Sequence, residues 1–157
     1  MKRKITFIIA IGMVMLTLGI YCLQQEESSG VQATSQSSTT SDLQLMARAI
    51  NGEARGEPYE GQVAVGAVIL NRVKSSQFPN TIAGVIYQSG AFTAVADGQI
   101  NVPIEEGSTV LKAAQDALNG WDPTGGAIYY FNPDTATNKW IWSRPVIKTI
   151  GKHRFCK

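Results

Sequence analysis

Hydrophobic and polar positions divide the chain into three stretches. Ile5 to Leu23 carries no charge at all, Gln24 to Ser41 is rich in Ser, Thr and Gln, and periodic apolar positions begin after Asp42. In the third stretch Leu43, Met46, Ala47, Ile50 and Ala54 recur at helical spacing behind Ser41, a good N-cap. This first helix should stop near Arg55-Gly56, because Glu57 precedes Pro58 and is pushed out of the α region. Pro58 suits the first position of a second helix, with Glu60 near the positive end of its dipole. That helix runs through Val63 to Leu70, apolar on nearly every side, so it should be buried and central. Asn71, Arg72 and Lys74 close it. A short helix is expected from Thr81 to about Gln88, and another from Ser108 to Asn119, ended by Gly120 and Pro123. The period then changes. Ala127–Phe131 and Lys139–Trp142 predict strands around an Asn-Pro-Asp turn, and Val146–Ile150 and His153–Cys156 predict a hairpin about Gly151-Lys152. The fold class is α+β, mostly helical with a small C-terminal β-sheet.

The first stretch concerns destination. Lys2, Arg3 and Lys4 precede the uncharged run, the order of an export signal. Residues 1–23 read as a signal peptide or an N-terminal membrane anchor, since the run is near the length that spans a bilayer. Val31-Gln32-Ala33 offers a cleavage site; a retained anchor would keep its basic flank in the cytoplasm. Either reading places the rest of the chain outside the membrane, exported or anchored in the envelope. Residues 24–41 cannot bury enough apolar surface to order themselves and read as a flexible tether. Residues 42–157 form the remaining domain.

Composition removes several function classes. With 157 residues, 44% hydrophobic and 17% charged, the chain is no disordered tail. Its net charge of +2 gives no argument for a nucleic-acid partner. Lys139 to Lys157 nonetheless carries six basic residues and no acid. One His and two Cys nearly exclude a zinc site or a disulfide scaffold. His153 stands alone near the chain end, so an amidase or peptidase built on a Cys-His or metal set is disfavoured.

One carboxylate is out of place. Glu53 lies about 20° from Met46 and 60° from Ile50 around the first helix, on its apolar side. Such a Glu is either paired with Arg48 or Arg55 at the helix end or held in a cleft as a general acid. The other acids have structural accounts: Glu57 and Glu60 start the second helix, Asp116 faces solvent and Asp134 belongs to a turn. Tyr129, Tyr130, Phe131, Trp140 and Trp142 follow closely in sequence, with Trp121 before them. As strand residues, Tyr129 and Phe131 would share one face, Tyr130 the other, and Trp140 and Trp142 would share a face. One set can form core; another, rimmed by Asn132, Asn138, Lys139 and Arg144, can offer flat platforms to sugar rings.

The segment Ile-Asn-Gly-Glu-Ala-Arg-Gly-Glu-Pro-Tyr-Glu-Gly-Gln62 resembles the opening of the catalytic domain of the spore cortex-lytic enzymes of bacilli. The likeness continues in Gly-Ala-Val-Ile-Leu-Asn-Arg72, Gly-Ala-Phe-Thr-Ala-Val95, Ala-Leu-Asn-Gly-Trp-Asp-Pro123, Ile-Tyr-Tyr-Phe-Asn-Pro133 and Lys-Trp-Ile-Trp-Ser-Arg144, spanning Leu43 to Phe155. The resemblance implies a lysozyme-like domain acting on peptidoglycan glycan strands during germination, with Glu53 as the catalytic residue. It further implies a lytic transglycosylase, which uses the C6 hydroxyl of the substrate where other glycosidases use water and a second carboxylate. No cofactor or metal is required. Phe92, Thr93, Tyr129 and Asn132 are expected to line the cleft facing Glu53, with Tyr130 or Phe131 as the alternative exposed residue of the strand, and Trp140 as a further sugar platform. Two rivals stay open: a water-using muramidase with Glu57, Glu60 or Asp97 as second carboxylate, and a non-catalytic glycan-binding wall module. A protein partner that restrains the enzyme is also left open.

Overall fold

A computed structural model describes residues 41–157, so the signal or anchor at 1–23 and nearly all of the tether lie outside the described residues. The first helix, α1, covers 41–54 and sinks Met46, Ala47, Ala49, Ile50 and Ala54 into the core. Ser41 is already helical there and is not the N-cap. The second helix, α2 (Tyr59–Lys74), has Pro58 as its N-cap at ψ 154°, one position earlier than its expected place. Gly61 to Ile69 are all buried, as is Arg72, which makes α2 the central helix. A Cβ on Gly66 would meet Ala117 Cβ at 2.9 Å and Ile50 Cδ1 at 3.2 Å. The helix backbone therefore approaches two neighbours more closely than a side chain permits.

Three short pieces follow. In α3 (Ile82–Ile86) the Thr81 hydroxyl caps the start by accepting from Gly84 N–H at 3.0 Å. The pattern does not predict α4 (Thr93–Ala96) or the 3₁₀ turn Gln99–Asn101, which are too short to show a period. Helix α5 (Thr109–Leu118) starts at the Ser108 cap and buries Val110, Ala113, Ala114 and Ala117.

The sheet contains β1 (Tyr129–Phe131), β2 (Val146–Ile150) and β3 (His153–Cys156), all antiparallel in the order β1-β3-β2. The expected hairpin forms, with Gly151 at φ +57° between its strands. β1 is shorter than expected because its approach is tied to side chains. Asp122 accepts from Thr124 N–H (2.8 Å), Thr124 Oγ1 (2.6 Å), Gly126 N–H (2.9 Å) and Asn71 Nδ2 (2.9 Å). Ala127 N–H donates to Thr124 Oγ1 and its carbonyl accepts from Asn71, so Ala127 joins no strand. Burial opposes the charge on Asp122, but these hydrogen bonds outweigh it and hold the carboxyl below its ordinary value.

Lys139–Trp142 is not a strand but one helical turn, α6. The Asn138 side chain accepts from Trp140 N–H at 2.9 Å and caps it, which decides a turn whose Trp and Ile residues by themselves favour strand. Positions two apart on a helix lie about 200° apart, so the two tryptophans do not share a face. Trp140 meets Tyr129 edge-on at 5.1 Å, and Trp142 meets Phe131 at 5.1 Å.

The domain is thus α+β, mostly helical with a small C-terminal sheet. One core cluster gathers α1, α2 and α5; a smaller one, with Ala64, Val68, Ala127, Ile150 and Phe155, lies under the sheet. Tyr130 packs against both. Among the described residues, no helix is long and apolar enough to cross a membrane.

Candidate active site

Glu53 occupies the last turn of α1, and both its oxygens are held. Ala94 N–H donates to Oε1 at 2.9 Å, and the Tyr130 hydroxyl donates to Oε2 at 3.1 Å. The first contact depends on the residue before the acid. A Cβ on Gly52 would lie 2.5 Å from Ala94 Cβ, so α4 comes close enough to donate only because position 52 has no side chain. Of the two arginines of the structural alternative, Arg55 turns to Gln99 and donates to it at 3.2 Å.

Glu53 faces an open cleft of about 470 Å³. Gly52 and Glu53 of α1, Arg72 of α2, Ala91, Thr93 and Asp97 around α4, Tyr130 to Asn132, Thr135, Ala136, and His153 of β3 form its walls. Burial, then the charge of Glu53, pushes the Tyr130 hydroxyl well above its ordinary range against the opposing effect of Arg72, so it remains a protonated donor. Arg72 is buried at 7% exposure. Its Nε donates to Ile128 O at 2.7 Å, and its guanidinium lies 5.3 Å from the Phe78 and Phe92 rings and 5.8 Å from Tyr129. Burial lowers its pKa, opposed by Tyr130, Tyr129 and Glu53.

Of the expected wall residues, Thr93, Asn132 and Tyr130 border the cleft with Glu53, and so does Phe131. Phe92, Tyr129 and Trp140 do not. Phe92 is buried at 3% exposure under the Arg72 guanidinium. Tyr129 turns toward Phe78, Trp140 and Arg144, and Trp140 stands outside it at 49% exposure. Tyr130, one of the two alternatives on the strand, therefore reaches the acid in place of Tyr129. Of the three candidate second carboxylates, only Asp97 borders the cleft. Glu57 accepts from Lys152 N–H at 2.8 Å and ties the hairpin turn to the α1–α2 linker, while Glu60 is exposed on α2. Asp116 does not simply face solvent; it accepts from the Tyr59 hydroxyl at 2.6 Å, and burial together with this carboxylate pushes that phenol up to about 12.

Sequence reasoning missed three participants. Arg72 reads as an ordinary cation ending a helix, His153 as a lone residue far from the acid, and Ala94 contributes only its main chain. Among the described residues, no group of three His, Cys, Asp or Glu side chains is placed to hold a metal ion.

The sequence profile described as Cell Wall Hydrolase matches residues 56–156. The chain belongs to the cell wall hydrolase family. That match begins just beyond Glu53. A relative over a longer span is the spore cortex-lytic enzyme of Bacillus cereus, 70% identical over 116 residues, which cover 74% of this chain and 44% of that enzyme. Two solved structures share the fold. The catalytic domain of the Bacillus cereus SleB protein superposes with a TM-score of 0.69 at 70% identity, covering 74% of this chain and 89% of that one. The catalytic domain of the germination-specific lytic transglycosylase SleB from Bacillus anthracis gives 0.70 at 69% identity, covering 74% and 93%. The chain spans less than half the length of the spore cortex-lytic enzymes it matches.

Proposed function

We propose that this cell wall hydrolase is a lytic transglycosylase that cleaves the bond between N-acetylmuramic acid and N-acetylglucosamine in cell wall or spore cortex, leaving 1,6-anhydromuramoyl ends. The observation that carries the reading is Glu53, fixed at both oxygens on the wall of an open cleft that α4, β1 and β3 also border. The names of its relatives supply the germination setting. Protonated Glu53 gives its proton to the bridging oxygen as the C1–O bond breaks, and the bonding pair leaves with that oxygen. The C6 hydroxyl of the same sugar then closes on C1 and returns its proton to Glu53. One carboxyl thus serves as acid and then as base. The Tyr130 hydroxyl can accept from the carboxyl and donate to the carboxylate, so it can follow Glu53 through both steps. Residues 1–23 would export the enzyme or anchor it in the membrane, and residues 24–41 would tether the domain within reach of the wall.

The water-using rival gains one observation, the presence of Asp97 in the cleft. Digestion of purified wall and cortex in ¹⁸O-labelled water, read by muropeptide mass spectrometry, decides between the two. Mostly unlabelled ends resistant to borohydride are expected; labelled, reducible ends would make the enzyme a muramidase. Glu53→Gln keeps the shape and cannot deliver a proton, so lysis should fall about 10²–10⁴-fold. Activity within a few-fold of wild type would remove Glu53 from the reaction.

A further inference from the structure

His153 is the chain's one histidine and takes no part in the steps above. It is buried at 7% exposure, yet its ring borders the cleft that contains Glu53. Tyr130 lies edge-on to it at 5.2 Å and Phe155 at 6.2 Å, so the ring orientation is set by packing. Its Nδ1 is sealed from solvent and has no hydrogen-bond partner among the described residues. Its Nε2 is not in that sealed and unpartnered state, and no bond joins it to a described residue. A buried polar ring is normally satisfied within the protein. Among the described residues nothing satisfies it, and the open side that His153 borders is the cleft.

We propose that His153, neutral and carrying its proton on Nε2, donates a hydrogen bond to an uncharged oxygen of the bound glycan, a sugar hydroxyl or an acetamido carbonyl. This rests on the reading that the cleft holds glycan. The tautomer follows from the surroundings. A proton on sealed Nδ1 would have no acceptor, whereas on Nε2 it faces the ligand. Burial lowers the imidazole pKa, against the pull of Glu57 and Glu53, which supports a neutral ring at neutral pH. A neutral donor also suits the ligand, since sugar hydroxyls and amide carbonyls carry no charge.

A lone histidine makes the test clean, because every imidazole signal belongs to one residue. Full-length Glu53→Gln protein, labelled with ¹⁵N, is titrated at neutral pH with a reduced peptidoglycan tetrasaccharide. The long-range ¹H–¹⁵N spectrum should show the Nε2–H tautomer, and saturation should move Nε2 together with the amides of Thr93 and Asn132. An Nδ1–H or doubly protonated ring, or an Nε2 that stays still while those amides move, overturns the proposal. If nothing in the cleft responds, the glycan reading fails and the proposal falls with it. Kinetics separate ligand binding from packing. His153→Phe keeps an aromatic ring and loses the donor; His153→Gln places an amide nitrogen where Nε2 was and loses the ring. The Phe variant should raise KM about tenfold, the scale of one lost hydrogen bond, with kcat changed less than threefold. The Gln variant should keep KM within about threefold of wild type. A Phe variant equal to wild type, or a Gln variant as impaired as Phe, assigns His153 to packing alone.

Discussion

Gly52→Ala should disable Glu53 without touching it. The new methyl carbon would sit 2.5 Å from Ala94 Cβ, 3.2 Å from Gln99 Cβ and 3.4 Å from Ala94 Cα. An ordinary carbon–carbon contact is about 3.5–4.0 Å, so α4 must retreat by roughly an ångström. Ala94 N–H donates to Glu53 Oε1 at 2.9 Å, and such a retreat takes that bond past the range in which N–H···O contacts hold, about 3.2 Å. Overpacking of this kind costs about 1–3 kcal/mol of stability, and a displacement of about 1 Å in a reacting group can cost 10²-fold in rate. We expect kcat on cortex fragments to fall about 10²-fold, with a modest drop in Tm. Gly56→Ala is the matched control, because a Cβ there meets nothing within 4 Å and its φ is not positive. Turbidity loss of purified cortex and thermal melts of both variants test the reasoning. A Gly52→Ala enzyme as active as the Gly56→Ala enzyme would show that the Ala94 bond does not position the acid.

Other outcomes follow from the same contacts. Tyr130→Phe removes the hydroxyl 3.1 Å from Oε2 and should lower kcat about tenfold with little change in KM; unchanged kcat would remove Tyr130 from the reaction. Asp122→Asn breaks a carboxylate that accepts four hydrogen bonds and should cost about 1–3 kcal/mol in urea unfolding at pH 7. Because the folded pKa of Asp122 is depressed below 3.8, its contribution is present above that value and lost as pH falls through the lower folded one. The variant's stability should converge on wild type below pH 3.8; a gap of constant size across that range would contradict the linkage. Neutralising the exposed Lys148, Lys152 and Lys157 should weaken adsorption to wall at low salt and leave cleavage of short soluble glycans unchanged, since salt screens such charges within about 8–10 Å. Equal losses on both substrates would place these lysines in the cleft or in folding.

The long elements are legible in the sequence because their signals repeat. α1, α2 and α5 carry several apolar turns and identifiable ends, and the hairpin carries a glycine at a positive φ. Lys139–Trp142 reads as strand in the sequence because four residues show no period, and Trp and Ile favour strands in isolation; the Asn138 cap is the informative residue. Glu53 could be found because its helix places a charge among apolar neighbours. Its partners could not. The Ala94 amide has no side-chain signature, and Tyr130 lies 77 positions away on a strand whose phase only its pairing with β3 decides. The glycine before Glu53 was the available clue, since a helix interior rarely tolerates one without a packing reason.

The strand order carries a consequence for how the enzyme comes into being. β3 is last of the three in sequence and central in space, and neither β1 nor β2 pairs with anything else in the sheet. A chain emerging N-terminal end first can assemble α1, α2 and α5 early, but Tyr130 and His153 reach their places only once His153–Cys156 has been made and inserted. The acid is synthesised early and its wall late. A nascent chain thus holds Glu53 beside a half-built cleft, and the wall made by Tyr130 and His153 would be completed in one step with the closing strand.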